Sequence, residues 1–187
     1  GGWMVLEPWI TPTFFYRFLG KTHSEGVGAD CWTVCEALGP KEGNEVMRSH
    51  WDHWLTEDHI KQLKDREVEI VRLPIGDWTL MPYGPYVGCM DGAAEKIEWA
   101  LDKFHKHGIK VLIDVHSLKG SQNGFDNSGK ASDVVWIDET HYEHWPHQNA
   151  HWMGEWDGEK YTINQEHIDW AIENVEKAYG HNVMRLA

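Results

Sequence analysis

Short apolar runs alternate with helical periodicities along the chain. WMVLEPW (3–9) is apolar up to Glu7-Pro8 and predicts a buried strand that stops there. CWTVC (31–35) reads as a short helix packing Trp32 inward rather than as a redox pair, and residues 41–54 set Val46, Met47, Trp51 and Trp54 on one helical face. The next helix has Thr56 as N-cap with Glu57 and Asp58 in its first turn, where the helix dipole favours acids. VEIVRLPIG (68–76) predicts a second strand. Residues 91–108 predict a helix capped by Asp91 and closed by Gly108, with Ala94, Ile97, Leu101 and Phe104 on one face. KVLIDVH (110–116) is the third predicted strand. Asn164 to Tyr179 is a further helix, closed by Gly180, with Ile168, Ala171, Ile172 and Val175 inward; NVMRLA (182–187) opens a fourth strand.

Strands that are apolar throughout and separated by helices pair in parallel, so the fold class is α/β. The second and third strands begin about 40 residues apart, and eight such units need far more than 187 residues. Four parallel strands alone would leave an open edge, which natural sheets avoid. The expectation is a single domain, residues 1–187, forming roughly the first half of a (β/α)8 TIM barrel, from strand 1 to the start of strand 4. The opening GGWMVLEPW reads as strand interior, so a preceding segment is expected as well.

Composition narrows the partners. A net charge of −13 with no basic stripe argues against nucleic acid, and no run of 18 apolar residues is present to span a bilayer. Twelve Trp residues raise the expectation of flat stacking faces such as carbohydrate sites use, although several sit at helical spacing and serve a core equally well. Cys31, Cys35 and Cys89 form no CxxC pair; three cysteines fit either a reducing compartment or one disulfide with a spare thiol.

Polar residues stand at or near three strand ends: Glu7, Arg72 and His116. In a parallel barrel such ends share one mouth, which is how these folds build a site. A buried Glu7–Arg72 ion pair beside a satisfied core histidine is the alternative for the same residues. The loop GSQNGFDNSG (120–129) follows, with donors and acceptors suited to a polyol and one ring, Phe125, suited to the C–H face of a sugar. His141, His144, His147 and His151 have spacings a helix could align on a metal, but Pro146 interrupts them, so an aromatic-lined loop is expected there and no metal site.

GGWMVLEPWITP, EALG (36–39), HWDHW (50–54), VRLPIGDW, DVHSLKGSQNGFDNSG and their spacings resemble the fungal and oomycete exo-β-1,3-glucanases of glycoside hydrolase family 5. The resemblance covers nearly the whole chain, and the ten-residue loop is its most specific mark. It implies a (β/α)8 enzyme that removes terminal non-reducing glucose from β-1,3-glucans with retention, using two carboxylates about 5–5.5 Å apart and no cofactor. In the family these two Glu follow the fourth and seventh strands. Both are therefore expected beyond Ala187, so this chain alone is expected to be inactive.

By the same resemblance, Glu7 contacts hydroxyls of the terminal glucose and His116 binds substrate. Arg72 supports the nucleophile from beneath. Phe125, Asp126 and Asn127 wall the pocket, and Trp9 stands where other members carry an aromatic. Ser117 replaces the family's usual Gly, and Arg185 is unexpected inside a barrel strand. A catalytically inactive glucan-binding or structural protein, and a sibling β-glucosidase or β-1,6-glucanase, are the competing readings. The expected partners are β-1,3-glucan and the remainder of the polypeptide itself, with no nucleic acid or membrane. A glucan substrate implies a secreted, cell-wall or vacuolar location, where a Cys35–Cys89 disulfide is expected.

Overall fold

The computed structural model describes residues 2–20, 30–131, 135–136, 142–143, 152–156 and 158–186. Helix α1 (Pro12–Leu19) carries Pro at its start and ends on Gly20 in the left-handed conformation, the usual asymmetry of helix ends. Helix α2 spans Cys31–Trp54 with Asp30 as N-cap and breaks at Gly39-Pro40, so the two expected helical pieces run on as one element. Met47 and Trp51 are buried as expected, whereas Trp54 lies on the surface. Helix α3 (Glu57–Asp65) starts on Thr56 in a capping box with His59.

Strands β1 (Ile70–Gly76) and β2 (Lys110–Ser117) pair in parallel, in the register Ile70↔Lys110 to Ile75↔Val115. Helix α4 (Ala93–Lys106) connects them and buries Ile97, Leu101 and Phe104, with Gly108 left-handed just beyond its end. Its N-cap is Gly92 rather than Asp91; the Asp91 carbonyl instead accepts the Asn44 side-chain amide, which holds this turn to α2. Two short antiparallel pairs follow, β3 (Val135–Trp136) with β4 (Tyr142–Glu143) and β5 (Gly154–Trp156) with β6 (Tyr161–Ile163). Helix α5 (Gln165–Leu186) closes the order.

Four further expectations are corrected. Residues 3–9 are buried at Trp3, Met4, Val5 and Leu6 but form bends, not a strand. A cavity of about 430 Å³, lined by Gly2, Trp3 and Met4 on one side and Val71 to Pro74 on the other, stands where their ladder would run. The Leu6 N–H instead donates to Cys31 Sγ at 3.3 Å. The fourth strand is also absent: α5 continues through 182–186, because lengthening a formed helix fixes only one residue per added hydrogen bond. Gly180 therefore lies inside the helix rather than closing it. Along α5 the buried side chains among those described are Asn174 and Ala178, while Ile172 and Val175 face outward.

The strands are covered on one face only among the described residues. Val71, Leu73 and Ile75 of β1, with Val111 and Ile113 of β2, pack into the core, while Ile70 and Leu112 are exposed at 58% and 59%. With a side-chain period of two, Arg72, Asp114 and His116 fall on this open face. The disulfide Cys35–Cys89 joins α2 to the turn 86–89, and Cys31 is the free, buried cysteine.

Candidate functional site

Arg72 lies opposite Leu112 in the register, which makes Asp114 its diagonal neighbour on the same face. The pair is made: Arg72 Nη2 lies 2.5 Å from Asp114 Oδ2. His116, two residues along the same strand, brings Nδ1 to 2.8 Å from that oxygen and to 3.3 Å from Arg72 Nη2. The shorter contact decides the tautomer. Nδ1–H donates to the carboxylate, which leaves Nε2 as the acceptor in the neutral ring. The ladder itself re-aims His116, since Ile75 pairs with Val115 and Gly76 with Ser117, which makes His116 the extra residue of a bulge. Ser117, where the family's Gly would stand, is fully buried, and its Oγ has no partner among the described residues.

The loop after β2 is tied back to His116: Gln122 Nε2 donates to the His116 carbonyl at 3.0 Å, and Gln122 Oε1 accepts Leu118 N–H at 2.9 Å. Asn123 Oδ1 accepts Phe125 N–H at 2.9 Å, and Asn123 Nδ2 donates to Asn127 Oδ1 at 3.1 Å. Two of the amides expected to face a ligand thus set the loop's own shape instead. Ser121 adopts a left-handed φ of 73°, and its hydroxyl meets Ser128 Oγ at 2.8 Å and accepts Gly124 N–H at 3.0 Å. Asp126 is buried inside the loop, Phe125 is half-buried, and Asn127 has no partner for Nδ2 among the described residues.

Glu7 and Trp9 form a second group. Glu7 is buried, and the Trp9 indole, 71% exposed, donates to Glu7 Oε2 at 2.8 Å. Its segment and the loop meet at the start of α2. There Cys31 Sγ holds Leu6, Asp30 Oδ2 accepts Ala131 N–H at 2.7 Å, and Trp32 N–H donates to the Gly129 carbonyl at 3.0 Å. The ion partner shown for Arg72 is Asp114, not the Glu7 of the buried-pair alternative.

Two residues escaped the sequence reading. Asp114 was legible as an acid inside an apolar strand, two residues before His116. Asp77, directly after β1, is fully buried and accepts Trp78 N–H at 2.9 Å and Trp170 Nε1–H at 2.8 Å, while Asn174 Nδ2 donates to its carbonyl at 2.9 Å. Burial pushes its carboxyl up to about 7, against the pull of those donors and of Lys119. This cluster docks α5 at the end of β1. His141, His144, His147 and His151, and the Arg185 side chain, lie outside the described residues. No group of three His, Cys, Asp or Glu able to hold a metal ion occurs among the described residues.

Comparison with known proteins places this geometry. Residues 40–183 match the family model for cellulase (glycosyl hydrolase family 5). The chain is 39% identical over 137 residues to a probable glucan 1,3-beta-glucosidase A of Aspergillus clavatus, covering 73% of this chain and 31% of that protein. It is 40% identical over 144 residues to a glucan 1,3-beta-glucosidase of Pichia angusta, covering 76% of this chain and again 31% of the relative. The chain thus spans about a third of the length of these curated relatives. Among solved structures, rutinosidase from Aspergillus niger superposes with a TM-score of 0.68 at 19% identity, over 96% of this chain and 42% of that one; AoRut gives 0.66 at 20% identity. These likenesses support an α/β fold of the TIM-barrel type. With the family match reaching from α2 through β1, β2 and most of α5, the chain belongs to glycosyl hydrolase family 5.

Proposed function

We propose that residues 1–187 are the sugar-binding, N-terminal half of one (β/α)8 hydrolase that releases terminal non-reducing glucose from β-1,3-glucan with retention. The observation that carries this reading is the pairing of two open polar groups at the end of β2. His116 presents an acceptor at Nε2 and Asn127 a donor at Nδ2, neither with a partner among the described residues; Gln122 ties the loop to the His116 carbonyl, and Asn123 holds Asn127 within it. One acceptor and one donor on a fixed frame suit adjacent sugar hydroxyls. Half-buried Phe125 supplies an apolar edge, and Trp9 a flat face held by Glu7. Arg72, already paired with Asp114, would keep a second carboxylate above it ionised by lowering its pKa.

Both carboxylates of the retaining reaction would come from beyond Ala187, in keeping with a match that covers only 31% of the relative's length. The disulfide supports a secreted, cell-wall or vacuolar setting. Glucose release from laminarin by the full polypeptide, lost in His116→Ala and absent from residues 1–187 alone, is the expected result. Binding of laminaritriose by the full polypeptide without glucose release would overturn the enzyme and favour a glucan-binding protein.

A further inference from the structure

The Gly129 carbonyl, at the end of the loop proposed to face sugar, accepts two hydrogen bonds from outside the loop. Trp32 N–H donates at 3.0 Å and Tyr86 Oη at 2.8 Å. Trp32 lies three residues before Cys35 and Tyr86 three residues before Cys89, and those two cysteines are bonded to each other. Trp32 thus sits about one helical turn from one end of the disulfide, and Tyr86 a non-helical turn of three residues, through Val87 and Gly88, from the other. The site between them is tight: Tyr86 is fully buried, its ring stacks on Trp78 with centroids 4.4 Å apart, and the Cα of Gly129 faces Trp78 with no space for a side chain. Lys130 Nζ closes the other side, 4.1 Å from the centroid of the Trp32 ring.

We infer that the Cys35–Cys89 disulfide is a positioning element for the loop 120–129, fixing the spacing of the two donors that hold Gly129. The inference rests on the sugar-facing reading of that loop only for its consequence in binding; the positioning itself is independent of it. A carbonyl held by two donors on separate elements keeps both bonds only while the donors stay at a fixed distance. The third cysteine fits the arrangement. Cys31, one turn before Cys35, is fully buried, and burial pushes its thiol up to about 12, so it supplies almost no thiolate to attack the disulfide.

The test is amide hydrogen exchange on the full polypeptide, comparing wild type, Cys35→Ala/Cys89→Ala, Tyr86→Phe and the triple variant. Tyr86→Phe keeps the stacking ring and removes one donor. The loop amides of Gly124, Ser128, Gly129 and Ala131, all hydrogen-bonded in the structure, are expected to exchange about tenfold faster in each variant. Amides of α4 should be unchanged, and the triple variant should be no faster than the cysteine pair alone. If the cysteine variant does not fold, Gly43→Ala gives the same readout, because its added methyl would press within 2.7 Å of Cys89 Sγ with the disulfide intact. A lower melting temperature with unchanged loop exchange, or additive effects in the triple variant, would overturn the inference. Faster loop exchange with unchanged laminaritriose affinity would uphold the positioning and overturn the sugar-facing reading instead.

Discussion

Replacing Gly129 by Ala should unfold more than the loop that carries it. The residue has φ of 87°, a region that an L side chain enters at about 1–2 kcal/mol. The added Cβ would also overlap Trp78 Cζ3 and Cη2 and lie 2.9 Å from Tyr86 Oη. Neither ring can yield readily, since Trp78 is 1% and Tyr86 0% exposed and the two stack on each other. Overpacking of this kind costs about 1–3 kcal/mol, so the sum is about 2–5 kcal/mol. For a chain of this size that is a fall in melting temperature of roughly 10 °C. Gly120→Ala is the control. Its φ is 77°, but nothing lies within 4 Å of the added methyl, so only the backbone penalty of about 1 kcal/mol applies. Thermal melts of both variants by circular dichroism decide the matter. Equal falls for the two, or no fall for Gly129→Ala, would refute the close approach of Gly129 to the Trp78–Tyr86 stack.

Other outcomes follow from the polar clusters. Asp77 holds its proton to about 7 in the folded state against an ordinary 3.8, so the folded chain binds more protons between those values. Its stability contribution is complete below pH 4 and is lost as pH rises through 7, by roughly 4 kcal/mol. Urea denaturation from pH 4 to 8 should show this decline in the wild type and a flatter profile in Asp77→Asn; parallel profiles would refute it. Asp114→Asn removes the anion that orients His116 and pairs with Arg72. Laminaritriose affinity should fall about tenfold, the loss of one charge-assisted hydrogen bond of about 1.5 kcal/mol, with melting little changed because the pair is partly exposed. Unchanged affinity by calorimetry would remove Asp114 from the site. Trp9→Ala should weaken the same sugar measurably while leaving the melt within a degree or two, since the ring is 71% exposed; a large fall in melting temperature would show a packing role instead.

The sequence made the middle of the fold legible because each signal there is local. The apolar runs of β1 and β2, the Thr56 cap and the Gly108 stop all act within a few residues. The misreadings lie where distant partners decide. Residues 3–9 have the apolar content of a strand, but a ladder needs a neighbour at hydrogen-bonding distance, and Leu6 N–H reaches Cys31 instead. Helical and strand propensities at 182–186 are close to balanced, and the helix already formed before them settles the outcome. At the site, Arg72 and His116 were visible as polar residues breaking apolar runs. Asp114, which joins them, emerges only from the register of two strands. Residue type alone identified the 120–129 loop, but not that Gln122 and Asn123 spend their amides on its shape and leave Asn127 open.

In the proposed function, His116 and Asn127 hold the terminal glucose of a retaining β-1,3-glucan hydrolase. Proton NMR of the first glucose released from laminaritriose by the full polypeptide tests it most directly. β-Glucose is expected at the earliest time points, before mutarotation, with no detectable release from His116→Ala. First-formed α-glucose, or release undiminished in His116→Ala, would contradict it.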